Sequence, residues 1–394
     1  MLMKRLLITV LVVTLPAGRV LAGQGEVPWW QQQKIRFMWG QWWHARVNKS
    51  VGWDHNSTRT ELSRELFRNV AAAGGTVFAE IRGYKPDHAR FAHEAGLKYF
   101  ATTFVVSIHI EPGITVGRAA ITQDGGLFAS GRPDSIPRHC PLDESVYAKW
   151  LVEPHLEGAR EGLIDGIHVD WENYGGWGEA GICYCDDCFA RFMAIRGLEG
   201  ELPEKAERFA LLEGRGLVQA YEESFHRRRV EMFTRLCAQL RAAKPDLLFS
   251  SYNLSFSDFT RAVHTPETPF VVLDARHYYN DDRQPWWESY GARLRQEGYL
   301  YIPGGWTNAL FGAQASQVSA ARWIYEVSVN EDGCWLWFER ELDDEILRAY
   351  AAADRQIKIV QHKVGRFLFQ GERDPNFVTA VLGEGTAAAA ESLD

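Results

Sequence analysis

His168, Asp170 and Glu172 stand two residues apart in the run Asp165-Gly166-Ile167-His168-Val169-Asp170-Trp171-Glu172. On a β-strand, successive side chains alternate sides, so these three titratable groups share one face, and Ile167, Val169 and Trp171 share the other. Two carboxyls at i and i+2 repel each other. One pKa is therefore expected to rise, which leaves an acid able to donate a proton near neutrality. An apolar interior does not accept such a face without partners. The chemistry this spacing suits is general acid catalysis, and the competing structural reading is a buried polar network that only locks the interior.

The aromatic residues suggest a substrate class. The chain has 15 Trp against 5 Met. Flat sugar rings stack on indoles, so the excess points to carbohydrate. Trp39, Trp42, Trp43, Trp171, Tyr174, Trp177, Tyr278, Trp306, Trp335 and Trp337 fall at or just after predicted strand ends. Trp39 and Trp42 are candidates to line sugar subsites with His44, and Arg82 and His277 are further pocket candidates. For any one of these residues, plain structural packing is the competing reading. If two protein carboxylates shared the work at a glycosidic bond, a second acid would have to come from another strand. The run Tyr301-Ile302-Pro303-Gly304-Gly305-Trp306 supplies none. Asp274 is preferred over Glu80 and Glu339, because Val272, Asp274 and Arg276 share one strand face. Glu80 and Asp274 also read as charges paired with Arg82 or Arg276.

Cys183-Tyr184-Cys185-Asp186-Asp187-Cys188 opens a helical stretch, Phe189–Ile195, and Cys140 ends an earlier loop-like segment that could reach it. In an exported protein the simplest reading is a disulfide from Cys140 to one of the three. A four-thiolate zinc site is the alternative, disfavoured because C-x-C-x-x-C lacks the usual pair of C-x-x-C motifs. Cys237 and Cys334 read as buried thiols. His44, His109, His139 and His168 are scattered, and no H-x-H follows the first strand, so a catalytic metal centre is a weak third reading.

These residues need a scaffold that gathers strand ends. Short apolar runs alternate with helical stretches along the chain. The predicted strands are Ile35–Gln41, Thr76–Arg82, Lys98–Val106, Leu163–Trp171, Leu247–Tyr252, Phe270–Ala275, Tyr299–Pro303 and Gly333–Phe338. Predicted helices cover Thr60–Ala73, Pro86–Ala95, Val146–Glu161, Leu217–Ala243, Trp286–Glu297, Ala315–Val329 and Asp343–Lys363, with a short, poor one around Asp258–Val263. Eight β–α units in a row predict an α/β fold, a (β/α)8 TIM barrel, with insertions after strands 3 and 4 (Ser107–Ser145 and Asn173–Gly216). Both insertions follow strand C-termini, where such barrels carry their sites. A doubly wound open sheet is the alternative fold. It usually shows a Gly-rich phosphate loop after its first strand, where this chain has Trp39-Gly40-Gln41-Trp42-Trp43, and no cofactor is implied.

Met1–Ala22 reads as a signal peptide: Lys4 and Arg5, a ten-residue apolar run from Leu6 to Leu15, then Val20-Leu21-Ala22. No later apolar run approaches 18 residues, so no stable membrane anchor is expected and the mature protein is placed as secreted or periplasmic. Residues 23–382 are expected to form one barrel domain and residues 383–394 an Ala-rich tail. The net charge of −8 and a pI near 5.9 argue against a nucleic-acid partner held by a basic face.

The pattern Asp165-x-x-His168-x-Asp170-x-Glu172 resembles the D-x-x-D-x-D-x-E signature on strand 4 of family 18, the chitinase-like glycoside hydrolases. The resemblance implies that Glu172 protonates the glycosidic oxygen. Asp170 would orient the substrate's acetamido group and stabilise the oxazolinium ion it forms, so that no protein nucleophile is required. Gly333-Cys334-Trp335-Leu336-Trp337 is similar to the family's G-x-M-x-W, which makes Trp337 the floor of the sugar that is attacked. His277-Tyr278-Tyr279-Asn280 is similar to its M-x-Y-D/N, which makes Tyr279 a donor to the acetamido oxygen. The chain departs from the family at His168, where the signature has Asp, and on strand 3, where Ala101-Thr102-Thr103-Phe104 replaces S-x-G-G. It also resembles bacterial glycosidase-like barrels with a Cys-Tyr-Cys-x-x-Cys run after strand 4. The function implied is an exported glycosidase that cleaves a polysaccharide or glycan, with N-acetylhexosamine as the sugar the resemblance implies. The alternatives are a non-catalytic sugar-binding barrel and a two-carboxylate enzyme pairing Glu172 with Asp274 or Asp170.

Overall fold

A computed structural model describes residues 27–39, 64–72, 74–80, 83–103, 117–128, 139–170, 181–252, 257–275, 284–306, 331–337, 359–361 and 367–369. Eight strands close into a parallel barrel in chain order: β1 (Ile35–Trp39), β2 (Val77–Glu80), β3 (Lys98–Thr103), β4 (Gly166–Val169), β5 (Leu248–Tyr252), β6 (Val271–Ala275), β7 (Leu300–Trp306) and β8 (Gly333–Trp337). β8 pairs back onto β1, with Ile35 opposite Gly333 and Trp39 opposite Trp337. All eight predicted strands are present; β7 runs three residues past its predicted end, and the predicted ends at 40–41, 81–82, 104–106, 171 and 338 lie outside the described residues.

The strand sequences are apolar on both faces because both faces are buried. Met38, Phe78, Tyr99, Ile167, Val169, Phe249, Val272 and Leu336 face outward and pack with helix residues such as Leu66, Val70, Met232 and Leu236. These helix residues come from α1 (Arg64–Ala72) and from the long helix Val218–Ala243. Phe37, Val77, Phe100, Leu248, Leu273, Ile302 and Trp335 fill the barrel interior. Trp29 and Trp30, in a short helical turn before β1, join this inner cluster, and the Trp29 ring meets Phe100 edge-on at 6.3 Å. The Phe100 ring also lies against Gly166 on the neighbouring strand, where any side chain would collide with it. The glycine ahead of His168 is therefore a packing slot for the barrel floor.

α2 (Pro86–Glu94) follows β2, and between β3 and β4 the chain forms α3 (Glu144–Tyr147), a π-helical turn Ala148–Val152 and α4 (Glu153–Arg160). This accounts for most of the predicted Val146–Glu161 helix. After β4 come α5 (Asp186–Arg196) and a further helix, Arg208–Gly214, which sequence periodicity did not single out. Ala120, Ile121 and Leu142 from the first insertion join Tyr184, Phe189, Phe192 and Tyr221 in a separate small core. One prediction is corrected at its end. Ile359–Gln361, placed within a helix by the sequence reading, pairs antiparallel with Phe367–Phe369. Its β-branched Ile359-Val360 pair favours an extended backbone over a helix. The predicted Ala315–Val329 helix and the 1–22 leader lie outside the described residues.

Candidate active site

The alternation predicted for β4 is observed. Ile167 and Val169 belong to the outer core, while His168 and Asp170 take the inward parity and are 0% and 6% exposed. His168 is opposite Thr102 on β3 and Ser250 on β5, which makes one polar row across three adjacent strands. Its Nδ1 is 2.9 Å from Ser250 Oγ, and its ring packs edge-on against Phe37 at 6.2 Å and Tyr252 at 4.9 Å. Burial in this apolar surround pushes its pKa down to about 3, so the ring is neutral at physiological pH. Asp170 is one step further towards the strand C-termini. Its backbone N–H donates to the Thr103 carbonyl at 2.8 Å, which continues the ladder past the end of β4. The interior thus changes from apolar at its floor to polar at the C-terminal end, the end where barrels of this type hold their sites.

The first Asp of the pattern has a different task. Asp165 precedes β4 and anchors the opposite end of the barrel. It accepts from the Tyr99 backbone N–H at 2.9 Å, and it contacts His93 Nε2 at 2.7 Å and Lys98 Nζ at 3.3 Å. Burial alone would raise its pKa, but the bonds and charges of His93, Lys98 and Tyr99 overcome this and hold it below the usual carboxylate value.

Of the three alternative acids, Asp274 and Glu80 lie in the helix layer, and Glu339 is outside the described residues. Asp274 shares a face with Val272, as the sequence suggested, but Val272 is in the outer core. The Asp274 carboxylate, 2% exposed, accepts a hydrogen bond from the Tyr301 hydroxyl, and Tyr301 packs against Tyr290 outside the barrel. Glu80 is fully buried and meets His88 of the helix Pro86–Glu94 at 2.6 Å. Among the described strand residues and the positions that continue their ladders, Asp170 is thus the one carboxylate with inward parity. Sequence parity could not tell inside from outside here, because Val271-Val272-Leu273 is apolar on both faces.

Three tryptophans named from the sequence fall side by side. Trp39 is opposite Trp337, and Trp337 is opposite Trp306, at the C-terminal ends of β1, β8 and β7. Trp335, two residues below Trp337, fills the interior. It stacks obliquely on Tyr252 at 5.4 Å and donates from Nε1 to the Asp274 carbonyl at 3.0 Å. Glu172, Trp42, Arg82, Tyr278 and Tyr279 lie outside the described residues. Trp337→Ala is expected to weaken binding of a sugar ligand by about 1–2 kcal/mol, roughly 5- to 30-fold, with the fold retained. Titration of an oligosaccharide by intrinsic fluorescence checks this, and unchanged affinity would remove Trp337 from the binding face.

The disulfide expectation is corrected. Cys140 Sγ is 3.4 Å from Cys188 Sγ and 3.7 Å from Cys185 Sγ, far beyond a disulfide bond of about 2.05 Å. The four Sγ atoms of Cys140, Cys183, Cys185 and Cys188 all lie within 4.8 Å of one another, and these residues could hold a metal ion. Cys237 and Cys334 are buried thiols elsewhere, as expected.

No model of a known family matches the chain, that of family 18 included, and no curated protein matches it. Its barrel is similar to several solved structures. One is a β-galactosidase from Bacillus circulans sp. alkalophilus (12% identity, 82% of this chain and 56% of that one, TM-score 0.49). A second is α-L-fucosidase isoenzyme 2 from Paenibacillus thiaminolyticus (13%, 82% and 49%, TM-score 0.47). A third is a maltogenic α-amylase from Thermotoga neapolitana (10%, 86% and 83%, TM-score 0.43). The chain spans about half the length of the first two. At these identities the likeness is one of fold alone: a closed eight-stranded (β/α)8 TIM barrel.

Proposed function

We propose that the protein is an exported glycoside hydrolase that cleaves a polysaccharide or glycan bearing N-acetylhexosamine, with Glu172 as general acid. The observation that carries this reading is the inward face of β4. It rises from neutral His168 to Asp170, with Glu172 two residues beyond, while Asp274 and Glu80 are drawn into the helix layer. The resemblance of the strand-4 pattern to family 18 assigns the nucleophile to the substrate. Its acetamido oxygen attacks the anomeric carbon as the glycosidic oxygen takes the Glu172 proton and departs. Asp170 orients the acetamido group and balances the oxazolinium charge, and Tyr279 donates to the acetamido oxygen. Water then opens the oxazolinium ring, giving its proton to the Glu172 carboxylate. Trp337 floors the attacked sugar and, with Trp39 and Trp306, supports stacking at the mouth. Export rests on the Met1–Ala22 leader.

A screen of aryl glycosides and polysaccharides with reducing-end detection tests the class. Release from N-acetylated substrates is the expected result. Retained sugar binding with no release from any substrate would make the protein a binding barrel instead.

A further inference from the structure

We infer that Cys140, Cys183, Cys185 and Cys188 form a closed tetrathiolate zinc site that ties together the two insertions at the catalytic end of the barrel. A tetrahedral zinc with bonds of about 2.3 Å sets its sulfurs about 3.8 Å apart. The separations of 3.4 and 3.7 Å lie close to that figure, and all pairs fall within 4.8 Å. The residues come from separate parts of the chain: Cys140 from the insertion after β3, Cys183 from the segment before α5, Cys185 at the helix N-cap and Cys188 in its first turn. All four are buried, with Cys185 the most open at 6%. With four buried protein ligands filling a tetrahedron, the site is structural and not catalytic.

The surroundings suit thiolates. Three backbone N–H groups point at sulfur: Ile121 and Cys185 at Cys183 Sγ and Leu142 at Cys140 Sγ, each at 3.4 Å. Such donors orient metal-bound ligands and stabilise their charge. The positive end of α5 lies at Cys185 and Cys188. Four thiolates on one Zn²⁺ leave a net charge of about −2. Three guanidinium groups hold the carbonyls at or near the ligands in place: Arg118 on Leu142 at 3.0 Å, Arg208 on Tyr184 at 2.5 Å and Arg228 on Cys188 at 3.3 Å, with Arg118 and Arg208 also ion-paired to Asp187 and Asp186. The site also sits in the small separate core of Ile121, Phe189 and Tyr221, so the ion would staple a unit whose apolar core is limited.

The site stands independently of the glycosidase reading and is tested without an activity assay. The full chain is purified with no metal-affinity step and analysed by plasma mass spectrometry. About one zinc per chain is expected, released in proportion as a mercurial titrates four of the six thiols in the presence of a chromogenic chelator. Cys188→Ser is expected to lose the zinc, and Cys237→Ser to keep it. If Cys188→Ser does not fold, wild-type protein stripped by a strong chelator carries the test, with a melting temperature about 10 °C lower, restored by adding zinc back. A chain free of zinc whose non-reducing peptide map links Cys140 to Cys183, Cys185 or Cys188 would overturn the inference, as would stoichiometric iron in place of zinc.

Discussion

Glu172→Gln is expected to lose about 10²–10⁴-fold in turnover on a natural glycan, the usual range for a general acid. The amide keeps the shape of the side chain and removes only the proton. An aryl glycoside, whose leaving group departs with little protonation, should lose far less. The environment supports this difference. His168, two residues before Asp170, is buried and neutral, so it brings no positive charge to this face of β4. Repulsion between Asp170 and Glu172 then favours holding one proton on the pair. Asp170→Asn should also damage turnover, with no rescue by a better leaving group, because its role is to stabilise the charged intermediate. Steady-state kinetics of both variants on both substrate types check this. Equal losses for Glu172→Gln on the two substrates would remove its role as the acid, and near wild-type turnover on the glycan would remove Glu172 from the mechanism.

The second large effect concerns stability against pH. Burial lowers the pKa of His168 to about 3. It lowers that of His155 to about 4, where a hydrogen bond to the Leu151 carbonyl opposes the shift only in part. In the unfolded chain both titrate near 6.5. Above that value neither state binds the proton and stability is at its full level. As pH falls below it, the unfolded chain gains protons that the folded chain refuses, so stability drops by about 1.4 kcal/mol per pH unit for each histidine. From pH 6.5 to 4.5 the combined loss is roughly 4–5 kcal/mol. Asp165 and Asp143, whose folded pKa values are depressed, lose their contribution only at lower pH, as they protonate. Urea unfolding midpoints measured across this window should fall steeply in the wild type and about half as steeply in His155→Asn. A flat profile would mean that neither ring is held neutral.

Much of the scaffold was legible in the sequence. Period-two alternation around His168 and Asp170 identified β4 and its two faces, because outward Ile167 and Val169 contrast with polar inward neighbours. The row of Trp39, Trp337 and Trp306 could not be read in advance, since strand register depends on how the barrel closes. Asp274 shows the limit of parity. It shares a face with Val272, but a strand apolar on both sides does not reveal which side is the interior, and its partner Tyr301 comes from another strand. The cysteine set was complete in the sequence, but its bonding was not, because a disulfide and a thiolate tetrahedron differ only in the distances between sulfurs. Asp165 belongs to the quoted signature yet serves the far end of the barrel, where Lys98 and His93 meet it.

The role of the substrate's own acetamido group is tested most directly by one comparison. Wild-type kcat/KM is measured on an N-acetylhexosamine polymer or oligomer and on its de-N-acetylated counterpart of the same linkage. If the acetamido oxygen is the nucleophile, removing the acetyl group abolishes the intramolecular attack, and the rate should fall by at least about 10²-fold. Equal rates on the two substrates would contradict substrate assistance and require a protein nucleophile.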